Sequence, residues 1–163
     1  METDPSTEVI LRKLDGKVEE YSNISENCAQ NAFLVLQEHL GLNNKAILKA
    51  LTPFPGGVAL RGETCGVVIA CLMTLGLVYG RDGLGDLVGY FDTLSPASKF
   101  CTRFEKEFGG TTCRDILKSD FRKLHKTVDP EKMSKISATE HRTAVVGKGV
   151  KIAVEIIREK MNS

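Results

Sequence analysis

The sequence of 163 residues lacks the short cysteine motifs that most often identify a metal or redox site. No two of its five cysteines form a C-x-x-C pair, which argues against a thioredoxin-like dithiol and against an ordinary zinc finger. The C-x-x-C-H signature of covalent haem attachment is also missing. Because the number of cysteines is odd, a disulfide framework is a poor interpretation. The three histidines form no pattern that suggests a catalytic triad.

Long hydrophobic runs and targeting segments are missing as well. The most apolar run, from Cys65 to Tyr79, has 15 residues, fewer than the ~20 that span a bilayer. We therefore expect a buried helix there and no membrane partner. The acidic N-terminus has no apolar stretch, so we expect no secretory signal and a cytoplasmic, reducing location. Residues 99–163 carry a net charge of +6 but lack interleaved aromatics, so we expect no nucleic-acid partner.

Helical periodicity is present along most of the chain. It predicts an all-α fold, a single-domain helical bundle of residues 1–163 around a buried central apolar helix. Pro96 occupies a position typical of a first helical turn, so a new helix is expected to begin there. The predicted helices cover residues 7–21, 26–40, 44–51, 64–79, 83–94, 95–108, 111–124 and, as a C-terminal helix, 137–163. The apolar stripe of that last helix either closes the core or packs against a second subunit, which leaves a homodimer open.

Three cysteines stand where a helix is expected to begin. Cys28, Cys65 and Cys113 each follow a Ser or Thr that can cap the helix, which places the thiol in the first turn. Unpaired N–H groups and the positive end of the helix dipole favour a thiolate there. The thiolate is the form of cysteine that ligates metals and attacks disulfides, so the placement predicts reactive or ligating sulfur. In the loop before Cys65, Gly56 and Gly57 allow a tight turn or a close approach of backbone N–H groups to sulfur.

The other two cysteines have different surroundings. Cys71 lies six residues after Cys65, which rotates it by about 240° around the same helix, so we expect a small core residue. Cys101 shares an apolar helix face with Phe100 and Phe104, which fits packing as well as ligation. Since Cys28, Cys65, Cys101 and Cys113 lie on different predicted helices, only the tertiary structure can bring them together, as one site or as pairs.

The cysteine pattern resembles a known family. The relevant segments are Asn27-Cys28-Ala29-Gln30, Gly62-Glu63-Thr64-Cys65-Gly66, the apolar run Leu72–Gly80, Cys101 with Phe104, and Cys113-Arg114-Asp115-Ile116-Leu117. Together they are similar to the C_GCAxxG_C_C family, whose members are described as redox-active and share four cysteines and a CGAxxG motif. The resemblance covers about residues 25–117, a four-cysteine redox core. Val67 and Ala70 replace the Ala and Gly of the motif, and these larger side chains predict a slightly wider helix contact.

The resemblance implies a small helical redox protein of the kind typical of anaerobic bacteria and archaea. It is also similar to the cluster-associated domain of split-Soret cytochrome c. By that analogy, Cys28, Cys65, Cys101 and Cys113 hold an iron–sulfur cluster, expected to be a two-iron, two-sulfur cluster, for electron transfer or redox sensing with a redox partner protein. Two alternatives stay open. One is a metal-free thiol–disulfide oxidoreductase or sensor with Cys65 as the fast-reacting thiol, and the other is a zinc-stabilised interaction domain. The sequence does not decide whether the protein is an enzyme.

Overall fold

Helices make up nearly all regular structure in the computed structural model, which describes residues 5–118, 131 and 139–162, with side chains for 7–118, 131 and 142–162. Within this part of the chain there is no strand, only one isolated antiparallel bridge between Thr64 and Thr112. The all-α prediction is therefore confirmed. The helices are α1 (Pro5–Ile24), α2 (Cys28–His39), α3 (Lys45–Ala50), α4 (Gly66–Tyr79), α5 (Leu87–Phe108), α6 (Cys113–Leu117) and α7 (Thr139–Met161).

Helix α4 is the centre of the bundle, as the apolar run predicts. It packs against α2, α5 and α7, and its inward residues are almost completely excluded from solvent. The largest side chains around it are Phe33 of α2 and Phe100 and Phe104 of α5, all of them fully buried. Among the described residues, no helix combines the length and the apolar character that crossing a membrane requires.

The prediction that a new helix begins at Pro96 is wrong. Helix α5 runs without a break from Leu87 to Phe108, with Pro96 inside it. A proline has no N–H, so the carbonyl of Asp92, four residues earlier, loses its helical partner. The Nζ of Lys160, on α7, donates to that carbonyl oxygen at 2.8 Å. This distant lysine replaces the missing bond, and local sequence patterns cannot reveal it.

Helix α7 closes the core of its own chain. The stripe Val146, Val150, Ala153 and Ile157 is buried against α1, α2, α4 and α5, so it is not available as a contact surface for a second subunit. The predicted C-terminal helix is confirmed for Thr139–Met161. The remaining predictions for residues 119–124 and 137–138 lie outside the described residues.

The central helix contacts remain close despite the two larger motif residues. Val67 and Ala70 are both fully buried. Val67 faces Gly149 of α7, and a Cβ at Gly149 would collide with the Cγ1 of Val67. On the other side, a Cβ at Gly66 would lie only 2.9 Å from the Cβ of Ala29, on α2. A missing side chain on α7 therefore accommodates Val67, and the helices are in close contact at Gly66 and Gly149.

Candidate redox site

Cys28 and Cys113 occupy the first positions of their helices and Cys65 directly precedes α4, but the caps differ from the prediction in two of the three cases. Helix α2 begins at Cys28 and is capped by Asn27, whose Oδ1 accepts the N–H of Gln30 at 3.2 Å. Helix α6 begins at Cys113 after Thr112, the cap that the sequence predicts. Cys65 is itself the cap residue of α4 and makes no side-chain capping bond. The Ser/Thr cap is thus confirmed for Cys113 and wrong for Cys28 and Cys65.

Two backbone hydrogen bonds bring Cys65 beside Cys113. The N–H of Cys65 donates to the carbonyl of Thr111, and the N–H of Cys113 donates to the carbonyl of Glu63, each at 2.8 Å. The isolated bridge of Thr64 with Thr112 lies between these two bonds. A short extended pairing therefore joins the start of α4 to the start of α6.

Arg114 reinforces this pairing from the residue next to Cys113. Its backbone N–H and its Nε both donate to the carbonyl of Gly62 at 3.1 Å, and its Nη2 donates to the carbonyl of Arg61 at 3.3 Å. The same guanidinium forms an ion pair with Glu63. Arg114 is not among the site residues that the sequence predicts. The available signal was a pair of opposite charges, Glu63 and Arg114, placed next to the two segments that carry Cys65 and Cys113.

The thiols of Cys28, Cys65 and Cys113 form a row with Cys65 in the middle. The thiol of Cys65 lies next to the thiols of Cys28 and Cys113, and both neighbours shift its pKa. Cys65 is 3% exposed and Cys113 is 5% exposed. Gly66 leaves the space that the row needs, because a Cβ there would lie 3.2 Å from the Sγ of Cys28. All three thiols are free of disulfides.

Burial and neighbouring thiols raise the pKa of two members of the row, Cys28 and Cys65. The hydrogen bond with Cys65, followed by burial, raises the pKa of Cys28 well above its usual value. The hydrogen bond with Cys113 raises the pKa of Cys65 to about 12, and burial acts in the same direction. The N–H groups of Ala29 and Val67 lower the pKa of these thiols, as expected at helix starts, but their effect is the smaller one. The prediction that these positions favour a thiolate is therefore overturned for Cys28 and Cys65.

A strained loop adjoins the sulfur of Cys28. Residues 56–60 all have positive φ, and three of them are not glycine: Val58 at 57°, Ala59 at 52° and Leu60 at 64°. Left-handed backbone costs about 1–2 kcal/mol for such a residue. Hydrogen bonds across the loop hold it in place, among them Gly62 N–H to the Gly56 carbonyl at 2.9 Å. The Gly56 N–H donates to the sulfur of Cys28, which is the close approach of backbone to sulfur that the glycines predict.

Comparison with known proteins agrees with this cysteine arrangement. The family model described as "Putative redox-active protein (C_GCAxxG_C_C)" matches residues 26–156. The chain belongs to this family. The match extends past residues 25–117 into α7, which the sequence resemblance had left outside. No curated protein and no solved structure matches the chain.

The fourth cysteine position of the C_GCAxxG_C_C pattern stands apart from the thiol row. Cys101 lies partly exposed on α5, where burial and the nearby Glu105 raise the pKa of its thiol. Cys71 is fully buried, as expected of a core residue, and burial followed by the charges of Cys65 and Cys101 raises its pKa.

The cysteines are therefore not arranged as a complete set of ligands for an iron–sulfur cluster. The described residues include all five cysteines, and no group of three or more Cys, His, Asp or Glu among them has the geometry to hold a metal ion. The structure brings together Cys28, Cys65 and Cys113 but not Cys101. In this arrangement the four thiols do not fit one four-thiolate iron–sulfur cluster.

Proposed function

We propose that the protein is a thiol–disulfide redox protein whose active unit is the row Cys28–Cys65–Cys113. The observation that carries the proposal is the central place of Cys65, which has a free thiol next to it on each side. Either neighbour can serve as its disulfide partner. Disulfide chemistry needs two sulfurs in contact, whereas a cluster needs four sulfurs arranged around it. The row supplies the first arrangement, and family membership agrees with a redox role.

The reaction is a two-electron exchange with a disulfide of a partner protein. One cysteine of the row, as thiolate, attacks a sulfur of the partner disulfide, and a mixed disulfide forms while the other partner sulfur leaves as a thiolate. A neighbouring cysteine of the row then attacks the mixed disulfide, and the second partner sulfur leaves. The row loses two electrons and two protons and becomes a disulfide, while the partner gains them and becomes a dithiol. The reverse reaction reduces the row.

Arg114 and the strained loop have different tasks in this scheme. Arg114 holds the segment before Cys65 against α6, so the backbone around Cys65 stays next to that of Cys113. The loop of residues 53–63 adjoins the sulfur of Cys28, a partly exposed residue, and its Gly56 N–H lowers the pKa of that thiol. Burial also argues against Cys65 as the thiol that reacts first with small reagents, since Cys101 is far more accessible.

Disulfide mapping of the wild-type protein and of variants that each lack one cysteine tests the proposal. The wild-type protein is equilibrated with oxidised and reduced glutathione, trapped with acid, alkylated and analysed by peptide mass spectrometry. The expected disulfide joins Cys65 to Cys28 or to Cys113. Replacing Cys65 by Ser removes the two-electron titration, because both pairs share that sulfur. Cys71→Ser, a buried cysteine of the same helix, is the matched control and keeps it. An unchanged titration in Cys65→Ser refutes the proposal.

The second candidate is the iron–sulfur protein that the family resemblance implies. Its support is the set of N–H donors around the sulfurs, Gly56 and Ala29 at Cys28 and Val67 at Cys65, because cluster sulfurs accept such bonds. It requires Cys101 to approach the other three thiols. Anaerobic purification followed by an absorption spectrum and iron, sulfide and zinc analysis distinguishes the candidates. Stoichiometric iron and sulfide, lost in Cys101→Ser, favours the cluster. A colourless, metal-free protein favours the thiol row, and zinc alone favours a zinc-stabilised domain.

A further inference from the structure

One end of the bundle carries a large exposed apolar patch. Among the described residues, seven large apolar side chains between positions 77 and 94 are 39–87% exposed. The patch consists of Leu77, Leu84, Leu87, Val88, Tyr90, Phe91 and Leu94. It includes the end of α4, the first turns of α5 and the loop between them. The thiol row lies at the other end of α4, so its 14 residues separate the two by about 20 Å.

The patch is larger than an ordinary surface requires. With about 150–200 Å² for a large apolar side chain that is fully exposed, the exposed fractions correspond to roughly 600–800 Å². The largest apolar patch on a typical monomer is about 300–600 Å², whereas each partner of a standard interface buries about 800 Å². Leu87, Phe91 and Leu94 follow one another at helical spacing, so the first turns of α5 present a continuous apolar face.

We propose that this patch is a two-fold interface with a second copy of the same chain, formed mainly by α5 of each copy. The charges around it have both signs: Asp82, Asp86 and Asp92 are acidic, and Arg81 and Lys160 are basic. In a two-fold arrangement the same surface meets itself, and a mixed rim then brings unlike charges of the two copies together. Three aspartates at the rim are unfavourable for a negatively charged lipid surface.

The described residues that border the undescribed stretch lie at the other end of the bundle from the patch. Lys118 follows α6, next to the thiol row. Near the start of α7, the guanidinium of Arg142 donates to the carbonyl of Ser22, at the end of α1. The patch therefore faces outward with nothing from the described chain over it. In the dimer the two thiol rows lie at the far ends, where each remains open to its own redox partner.

Sedimentation equilibrium across a wide range of protein concentration tests the interface, under reducing conditions that keep intermolecular disulfides out. The wild-type protein is expected to have twice the mass of the 17.9 kDa chain. Val88→Glu and Phe91→Glu, tested separately, place a carboxylate in the interface and should raise the dissociation constant about a hundredfold or more. Ile24→Glu is the matched control, since Ile24 is 75% exposed and lies outside the patch. Circular dichroism checks that all variants fold.

The outcomes separate the proposal from its competitors. A wild-type dimer that becomes monomeric in both patch variants, but not in Ile24→Glu, supports it. A wild-type monomer overturns it, and co-sedimentation of that monomer with phosphatidylcholine vesicles would identify a lipid surface as the occupant. A dimer that neither patch variant weakens also overturns it, because another surface then forms the contact. The result is independent of the redox proposal, since the thiol row is unchanged in every variant.

Discussion

Replacing Gly66 by Ala tests whether α2 and α4 approach each other as closely as the thiol row requires. The added Cβ would lie 2.9 Å from the Cβ of Ala29, 3.1 Å from the carbonyl oxygen of Phe54 and 3.2 Å from the Sγ of Cys28. None of these atoms is the end of a long flexible side chain. Ala29 is fully buried in α2, so the backbone of one helix must move to make room.

The magnitude follows from the geometry. Overpacking of a well-packed core costs about 1–3 kcal/mol. Gly66 is the first residue of α4, where replacing glycine gains little helix propensity. Gly76 is the matched control on the same helix, because nothing lies within 4 Å of its added Cβ and alanine stabilises a helix interior by about 0.5–1 kcal/mol relative to glycine. The two variants should therefore differ by about 1.5–4 kcal/mol in the free energy of unfolding.

Urea unfolding under reducing conditions measures this difference, and disulfide mapping supplies a second readout. Because the clash involves the sulfur of Cys28, Gly66→Ala should lower the yield of the Cys28–Cys65 disulfide relative to the Cys65–Cys113 disulfide. Gly76→Ala should leave the ratio unchanged. If Gly66→Ala is as stable as the wild type and forms the same disulfides, the close contact of α2 with α4 is refuted, and with it the position of Cys28 in the row.

Three further predictions test other parts of the molecule. Gly149→Ala should destabilise the protein by about 1–3 kcal/mol because its Cβ meets Val67. Gly147→Ala, on the same helix, should stabilise the protein slightly. Urea unfolding of both variants measures the difference. Ala59→Gly removes the strain of an alanine with left-handed backbone. After the larger entropy loss of glycine on folding is subtracted, the free energy of unfolding should rise by about 0.5–1 kcal/mol. An unchanged free energy would contradict the loop conformation. Folding raises the pKa of Cys65 from 9.0 to about 12. The free energy of unfolding should therefore fall as pH rises through that window, by up to about 1.4 kcal/mol per pH unit. Cys65→Ser should make this pH dependence weaker.

Local sequence patterns predict most of the helices because periodicity and breakers are local. They fail where a contact with a residue far along the chain determines the local structure. Local rules place a helix boundary at Pro96. Helix α5 nevertheless continues through it, and Lys160 bonds the carbonyl of Asp92 that the proline leaves without a partner. The cap of α2 is a smaller failure of the same kind, since both Ser25 and Asn27 are good caps. Asn27 also donates from its side chain to the carbonyl of Thr52, a contact that the sequence does not reveal.

The candidate site shows the same limit more sharply. Positions at helix starts identify Cys28, Cys65 and Cys113, and these three do come together. The chemistry predicted from those positions does not hold for Cys28 and Cys65, because burial and neighbouring thiols are properties of the tertiary structure. Cys101 fits the family pattern equally well in sequence, yet it lies partly exposed on α5, where its charge raises the pKa of Cys71.

The raised pKa values have a consequence for how the row can react. A disulfide is neutral, so the burial that penalises a thiolate of Cys65 does not penalise the oxidised product. The cost falls on the reactive thiolate alone, at about 1.4 kcal/mol for each unit between the pKa and the ambient pH. A partner that brings water or a hydrogen-bond donor to the sulfur of Cys65 therefore lowers this cost, whereas small oxidants meet a thiol that is only 3% exposed.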